Sequence, residues 1–187
     1  MRALSIGLVF ALFVGIGMVG CAGKSTIDLR YEPTGINLEP CPGSIAVVEL
    51  ADKRPQTAIG VTKDGKEFYG KTSAAEWVSR ALHDELDKGG CKVQYHQKEY
   101  AFDTDFTLTG DLEEIFVKQK SFSDYSASMR LVIAVKSKGK KVYAKTYTST
   151  LGKTAVPSPG VNSKVLTELL QGMMRELVPE LRDGLRK

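Results

Sequence analysis

Residues 106–149 alternate between apolar and polar side chains, and this alternation constrains the fold more than any other feature of the chain. The apolar positions of the middle segment are Ala127, Met129, Leu131, Ile133 and Val135. Alternation at period two is typical of strands with one buried and one solvated face. A turn around Gly139 separates the second segment from the third. The pattern therefore predicts an antiparallel meander of three strands, with a bulge at Glu113-Glu114 where the alternation shifts phase.

Two other segments carry apolar residues at helical spacing. The first follows Ser73, which has the capping-box spacing to Glu76, and it ends at Gly89-Gly90. The second covers residues 163–182 and carries a stripe of leucines. Because proline lacks a backbone N–H, Pro179 is expected to kink or end this second helix.

Four shorter segments are predicted to be strands: residues 44–50, residues 58–62 and 67–69 on either side of a hairpin turn, and residues 92–95. Residues 44–50 form an almost continuous apolar run, as in a strand buried inside a sheet. Asp64-Gly65 predicts a hairpin turn, and residues 92–95 form a further strand after the first helix. The predicted fold class is α+β: a two-layer sandwich in which one mixed, mainly antiparallel sheet of about 4–6 strands carries two helices on one face.

Residues 1–20 are predicted to be a lipoprotein signal peptide. Arg2 precedes an apolar run over residues 4–19, and Gly20 stands directly before Cys21, as in a lipobox. Cys21 would then be the acylated N-terminus, with palmitate among its acyl chains. The alternative is an uncleaved transmembrane helix, which the Gly-rich end and the Gly-Cys junction disfavour.

The residue after the lipidated cysteine helps to sort lipoproteins between the two membranes of Gram-negative bacteria. Ala22 occupies this position, and the absence of Asp favours a periplasm-facing location at the outer membrane. Residues 21–40 are predicted to be the lipidated cysteine and a tether, in which residues 27–31 could instead pair as an edge strand. Residues 41–187 are predicted to be a single α+β periplasmic domain.

Cys41 and Cys91 are candidates for a disulfide, since the envelope outside the cytoplasm is oxidising. Cys41 precedes the strand at residues 44–50, and Cys91 opens the strand at residues 92–95. A strand, helix, strand unit makes two strands parallel and places both cysteines at the same end of the sheet. The alternative is a pair of buried thiols.

Residues 65–72, GKEFYGKT, match the P-loop pattern for nucleotide binding. A P-loop needs a buried strand before it and a backbone free to wrap phosphates, whereas residues 61–64 are half polar and residues 66–69 are bulky and strand-prone. No later apolar strand ends in an Asp that could serve Mg²⁺. Neither a nucleotide nor any other cofactor is expected.

Other chemistry is sparse in the sequence. The formal charge of +4 is too small, and too evenly spread, to indicate a nucleic-acid partner. His83 and His96 lack the matched spacings of metal ligands, so no metal site is expected. No nucleophile elbow or acid–base pair stands out, and the chain is not expected to be an enzyme. The lysines of residues 136–141 indicate a solvated turn or a contact with anionic lipid headgroups.

The chain resembles the YajG-type outer-membrane lipoprotein family. The resemblance rests on Gly20-Cys21, on the strand IAVVEL followed by ADKRPQTAIGVTKDGKE, on the helix AAEWVSRALHDELDKGGCKV, and on a meander that ends in an amphipathic helix. The Asp52-Lys53-Arg54 loop with Gly60 is its sharpest local element. The resemblance implies an envelope lipoprotein without an established active site, so it implies no catalytic residues.

These observations predict a membrane-anchored, non-catalytic interaction or accessory module with an envelope protein as its partner. Asp52, Lys53 and Arg54, together with the solvent face of the meander, are the candidate contact surfaces. The alternative is a lipid or small-ligand carrier that uses a gap between helix and sheet. The residues predicted to line that gap are Met173, Met174 and Leu177.

Overall fold

The computed structural model describes residues 25–36 and 41–186. The predicted signal peptide and the predicted lipidation site, Cys21, lie outside the described residues. Within them the chain forms nine strands and two helices: β1 (Ser25–Ile27), β2 (Ser44–Val48), β3 (Ala51–Asp52), β4 (Gly60–Val61), β5 (Glu67–Gly70), α1 (Ala74–Lys88), β6 (Lys92–His96), β7 (Phe106–Gln119), β8 (Asp124–Ser137), β9 (Lys140–Thr154) and α2 (Val161–Leu185).

Strand β7 lies at the centre of the sheet. Along one edge it pairs in parallel with β2, then β3, then β4, and along the other edge it pairs antiparallel with β8. Strand β6 extends the sheet beyond β2, β5 and β1 extend it beyond β4, and β9 extends it beyond β8. The predicted α+β class is confirmed. The estimate of 4–6 strands was too small: nine strands pair within the described residues, including the short segments β1 and β3.

The meander of β7, β8 and β9 is confirmed. Alternate residues of β8 from Tyr125 to Val135 are buried, and the residues between them are not. The register of β7 against β8 shifts between Leu112 and Glu114, which places a bulge where the sequence predicts one. Gly139 has a φ of 76° in the turn that follows β8, so this turn needs a residue that tolerates the left-handed region.

Both helices begin close to their predicted positions. The Ser73 side chain caps α1 by accepting a hydrogen bond from the backbone N–H of Glu76. Helix α2 continues past Pro179 to Leu185, so of the two predicted outcomes, a kink or an end, the proline does not end the helix. Val178 and Leu181 are fully buried on either side of the proline. Burial of this apolar stripe outweighs the one hydrogen bond that the proline removes.

The two helices and one face of the sheet enclose a single hydrophobic core. The core joins residues of both helices to inward-facing residues of β2, β7, β8 and β9. Met173, Met174 and Leu177 belong to this core and are almost completely buried. The packed core therefore contradicts the predicted ligand gap at these three residues.

Cys41 and Cys91 form a disulfide with their Cα atoms 5.1 Å apart. Strands β2 and β6 are parallel, and Ser44 lies opposite Lys92. The two cysteines precede these paired residues and meet at one end of the sheet. The disulfide and the topological reason for it are confirmed.

Removing the disulfide is expected to destabilise the fold strongly. It closes a loop across a sequence separation of 50, so the double variant Cys41→Ser, Cys91→Ser should lose about 4 kcal/mol of unfolding free energy in urea titrations. The unmutated protein with a reducing agent is the control and should show a similar loss. Equal stability of the oxidised, reduced and mutated proteins would contradict this prediction.

Candidate functional site around the N-terminal strap

Residues 28–36, called here the N-terminal strap, are held by side chains of α2. Three polar side chains donate to alternate strap carbonyls: Ser163 to Asp28, Thr167 to Arg30 at 2.9 Å, and Gln171 to Glu32 at 3.0 Å. Four residues of helix rise about 6.0 Å, and two residues of extended chain rise about 6.6 Å. The two repeats match, and α2 thereby binds the strap as a neighbouring strand would.

Helix α1 holds the strap through Glu85, a fully buried residue. Its Oε1 accepts a hydrogen bond from the Tyr31 hydroxyl at 2.5 Å and another from the backbone N–H of Thr34 at 2.6 Å. Burial raises the pKa of the Tyr31 hydroxyl, and the hydrogen bond to Glu85 raises it further. Lys88 donates to the carbonyl of Pro33 at 3.1 Å. The strap thus contacts both helices.

The strap continues from β1, which pairs in parallel with β5. Part of the stretch predicted to be a tether therefore belongs to the packed structure, and its edge strand is Ser25–Ile27. The division of the chain into domains stays a prediction. Only residues 22–24 separate Cys21 from the first paired residue, Ser25.

A cleft of about 880 Å³, called here the strap cleft, lies beside the strap and the first turns of α2. The basic residues that line it are Arg30, Lys71, Lys153 and Lys164. Arg30 pairs with Asp28 at 2.8 Å, and Lys153 pairs with Glu168. Among the described residues Lys71, Lys164 and the acidic lining residue Glu32 form no ion pair, so the cleft carries an excess of one positive charge that could attract an anionic group.

The P-loop-like residues do not form a phosphate loop. Glu67–Gly70 is strand β5, paired with both β4 and β1. The backbone N–H of Lys71 donates to the carbonyl of Ile27 at 2.9 Å. Since paired strands already use these backbone groups, they cannot wrap a phosphate. That no nucleotide binds stays a prediction.

The candidate contact residues Asp52, Lys53 and Arg54 differ in what they offer to a partner. Arg54 forms a two-pronged ion pair with Asp52, with Nε–Oδ1 and Nη2–Oδ2 distances of 2.8 and 2.7 Å. The Arg54 side chain is only 6% exposed. Its hydrogen bonds hold the pKa of Asp52 below the usual value. Lys53 is exposed, which leaves it as the member best placed to touch a partner.

The family resemblance also rests on Gly60, and this residue and the backbone of Lys53 serve the packing of the sheet. A Cβ atom at Gly60 would overlap the Phe68 ring and the Val117 carbonyl, so only glycine fits between β5 and β7 at this point. The backbone N–H of Lys53 donates to the carbonyl of Leu112 at 2.9 Å, beside the bulge. The residues of this loop that carry the family resemblance therefore have roles in packing.

The face of the meander that points away from the helices carries mainly polar side chains, with Phe116, Val132 and Ala134 among them as partly exposed apolar residues. Its β9 residues are largely threonines, and Thr148 lies opposite Arg130 of β8. Arg130 forms an ion pair with Glu113 at 2.8 Å, and Ser128 donates a hydrogen bond to Glu114. These short side chains make a broad and shallow surface, which could contact a folded protein.

The two histidines have ordinary partners. His83 lies 2.9 Å from the carboxylate of Asp84, and His96 lies 2.8 Å from the hydroxyl of Tyr100. The described ranges contain no cluster of three or more His, Cys, Asp or Glu side chains that could hold a metal ion. Over the same ranges, no helix has the length and apolar character needed to cross a membrane.

Comparisons with known proteins identify the fold. No protein-family model matches the chain, and no curated protein matches it. The structure is similar to that of protein XCC0632 from Xanthomonas campestris, of the family DUF330, with a TM-score of 0.63 and 12% identity over 87% of this chain and 97% of the other. It is also similar to the hypothetical protein CT253 from Chlamydia trachomatis, with a TM-score of 0.55 and 11% identity over 76% and 97% of the two chains. At such identities the similarity shows the fold alone.

Removal of the Glu85 carboxylate is expected to release the strap. Glu85→Ala leaves the Tyr31 hydroxyl and the Thr34 N–H without their acceptor, which should cost about 2 kcal/mol of unfolding free energy. Amide exchange of residues 28–36 should accelerate, as measured by hydrogen exchange with mass spectrometry. Tyr31→Phe, which removes one of the two hydrogen bonds, is the control and should have a smaller effect. Unchanged exchange of the strap in Glu85→Ala would contradict this role.

The Asp52–Arg54 pair is expected to make stability depend on pH. Since the folded-state pKa of Asp52 lies below its usual 3.8, its contribution is complete above the unfolded-state pKa and disappears as pH falls through the folded-state pKa. Asp52→Asn should cost about 1–2 kcal/mol at neutral pH. In denaturant titrations the difference from the unmutated protein should shrink at acidic pH.

Asp64→Asn is the matched control for this pair. Asp64 is an exposed carboxylate 2.7 Å from Lys63, and asparagine suits the same turn. This control should change stability little at any pH. An equal effect of the two substitutions would show that the packing around Arg54 does not matter.

Proposed function

We propose that this chain is a YajG-type envelope lipoprotein that acts as a non-catalytic interaction or accessory module. In this proposal acylated Cys21 holds the domain at the outer membrane of a Gram-negative bacterium, facing the periplasm. The signal peptide and lipobox of the sequence support the anchor, and Ala22 supports the outer membrane. The partner is an envelope protein.

The uncovered face of the meander is the observation that carries this proposal. Strands β7, β8 and β9 each have 14 or 15 residues, so they extend for about 45–50 Å. Their inner face is buried under the helices, while their outer face carries small polar side chains and the Arg130–Glu113 ion pair. A broad, rigid and shallow surface suits contact with a folded protein better than it suits enclosure of a substrate.

The strap cleft favours a second candidate function, carriage of a lipid or small ligand. Its volume of about 880 Å³ is within the range of small-molecule sites. Lys71 and Lys164 could attract an anionic headgroup. The buried residues Met173, Met174 and Leu177 have no part in this version of the carrier hypothesis.

Photo-crosslinking in intact cells tests the interaction module. A photoreactive residue at Thr148, on the outer face of β9, is expected to capture one abundant envelope protein, identified by mass spectrometry. Glu176, exposed on α2, which covers the other face of the sheet near Lys145 of β9, is the matched control and should capture none. Cys21→Ser should abolish the crosslink at Thr148, because the unanchored protein would no longer be concentrated at the membrane.

Capture of the same protein from Thr148 and Glu176, or of none from either, would contradict the proposed surface. Native mass spectrometry of the gently extracted protein separates the carrier function from the interaction module. A bound ligand that is lost in Lys71→Gln, Lys164→Gln would establish the carrier function.

A further inference from the structure

The chain enters the fold at one identifiable end of the sheet. Ser25 of β1 lies opposite Phe68 of β5, which lies opposite Gly60 of β4, which in turn lies opposite Val117 of β7. Strand β1 runs antiparallel to β7, because β5 reverses the direction. The residues before Ser25 therefore enter the sheet from the end at which β7 turns into β8.

Three loops meet at this end, which is called here the anchor end: the hairpin turn at residues 62–66, the turn at residues 120–123, and residues 155–156. The backbone N–H of Lys63 donates to the Gln119 side chain at 3.4 Å, which joins the hairpin turn to the end of β7. The backbone N–H of Ala155 donates to the carbonyl of Ser123 at 2.8 Å, which joins the other two loops. The three loops thus form one continuous surface.

Two large apolar side chains project from the anchor end. Phe122 is 70% exposed and Val156 is 83% exposed. Phe122 directly precedes Ser123, and Val156 directly follows Ala155. Because Ser123 and Ala155 share a backbone hydrogen bond, the two apolar side chains project from adjoining loops. An exposed phenylalanine beside an exposed valine is costly in water and favourable at the boundary between lipid headgroups and acyl chains.

Lysines lie at the same end of the sheet as these apolar side chains. Lys66, Lys118 and Lys120 are exposed, and within the described residues they form no ion pair. The acidic residues of this end already have partners: Asp64 pairs with Lys63, Glu67 accepts a hydrogen bond from the Tyr69 hydroxyl, and Asp124 accepts hydrogen bonds from Ser121 and Thr154. Free lysines around an apolar centre match the anionic headgroups and acyl chains of a bilayer.

The short distance along the chain to Cys21 limits which end of the domain can reach the bilayer. Cys21 precedes Ser25 by four residues, which span about 14 Å at most. The lysines of residues 136–141 lie at the other end of the sheet, where Lys136 is opposite Thr107. Thr107 and Val117 are ten residues apart along β7, or about 33 Å. An anchor at Cys21 brings the first end to the membrane and leaves the second in solution.

We propose that the anchor end docks on the bilayer that holds Cys21. Phe122 and Val156 enter the headgroup boundary, and Lys66, Lys118 and Lys120 contact anionic headgroups. The inference rests on the proposed acylation of Cys21 and adds the orientation of the domain. The uncovered face of the meander then stands at the side of the molecule, where it faces along the membrane.

Fluorescence quenching in vesicles tests the orientation. The full lipidated protein carrying Phe122→Trp is reconstituted into phosphatidylethanolamine–phosphatidylglycerol vesicles whose acyl chains are brominated near the headgroups. Val142→Trp is the matched control, because Val142 is an exposed apolar residue close to the turn at Gly139. The native Trp77 is buried and gives a background common to both variants. The indole introduced at position 122 is expected to lose much of its fluorescence, and the one at position 142 to keep it.

Similar quenching at both positions, or quenching at position 142 alone, would overturn the proposed orientation. So would an absence of quenching in protein that floats with the vesicles, although the anchored function would then remain. A purified protein without acyl chains by mass spectrometry would overturn the anchor itself and the orientation with it. The two proposals therefore fail in distinguishable ways.

Matched lysine substitutions test the headgroup contact. In the Phe122→Trp protein, each of Lys66→Gln, Lys118→Gln and Lys120→Gln is expected to lower the ratio of docked to undocked domain about fivefold. Lys138→Gln, Lys140→Gln and Lys141→Gln remove the same charge from the opposite end and should leave the quenching unchanged. Equal losses from the two sets would show that only net charge matters, which contradicts a specific docking face.

Discussion

The buried carboxylate of Glu85 is the contact on which the attachment of the N-terminal strap depends. A carboxylate without water is stable only where donors surround it, and here the donors, Tyr31 and Thr34, both belong to the strap. The Oε1 atom of Glu85 in α1 therefore gains its two donors only when the strap is in place. The polar side chains of α2 fix the register of the same segment. Through this arrangement the two helices fix the position of the strap.

The larger elements of the fold could be predicted because their burial repeats along the chain. In β8 every second residue from Tyr125 to Val135 contacts the core, so the apolar positions in the sequence are the buried positions of the strand. In the sequence, Ser73 and Gly89 mark the two ends of helix α1, because they form hydrogen bonds with its terminal backbone groups. The disulfide followed from topology, since parallel β2 and β6 bring Cys41 and Cys91 together.

The strap could not be predicted in the same way, because a helix and not a strand binds its backbone. Its residues alternate weakly, and three of its carbonyls accept hydrogen bonds from side chains more than one hundred residues away. A signal was present in Ser163, Thr167 and Gln171, which form a polar row four residues apart beside the leucine stripe of α2. Strands of two residues, such as β3, carry too little sequence for any periodicity. The buried state of Arg54 was equally hidden, because a charged loop residue is usually solvated.

The strap and its partners in α2 are far apart in the sequence. This separation determines when the two come into contact during folding. Asp28 and Ser163 are 135 residues apart, so the strap is synthesised long before α2. Contacts this distant in sequence form late, after the loop between them has been organised. In the proposed lipoprotein, the strap lacks the α2 part of its binding site during that interval, so the enzymes that acylate Cys21 and remove the signal peptide would meet a more open substrate. Binding of the strap to α2 would then complete the fold after these enzymes have acted. A slow last step of folding would extend the time available for processing.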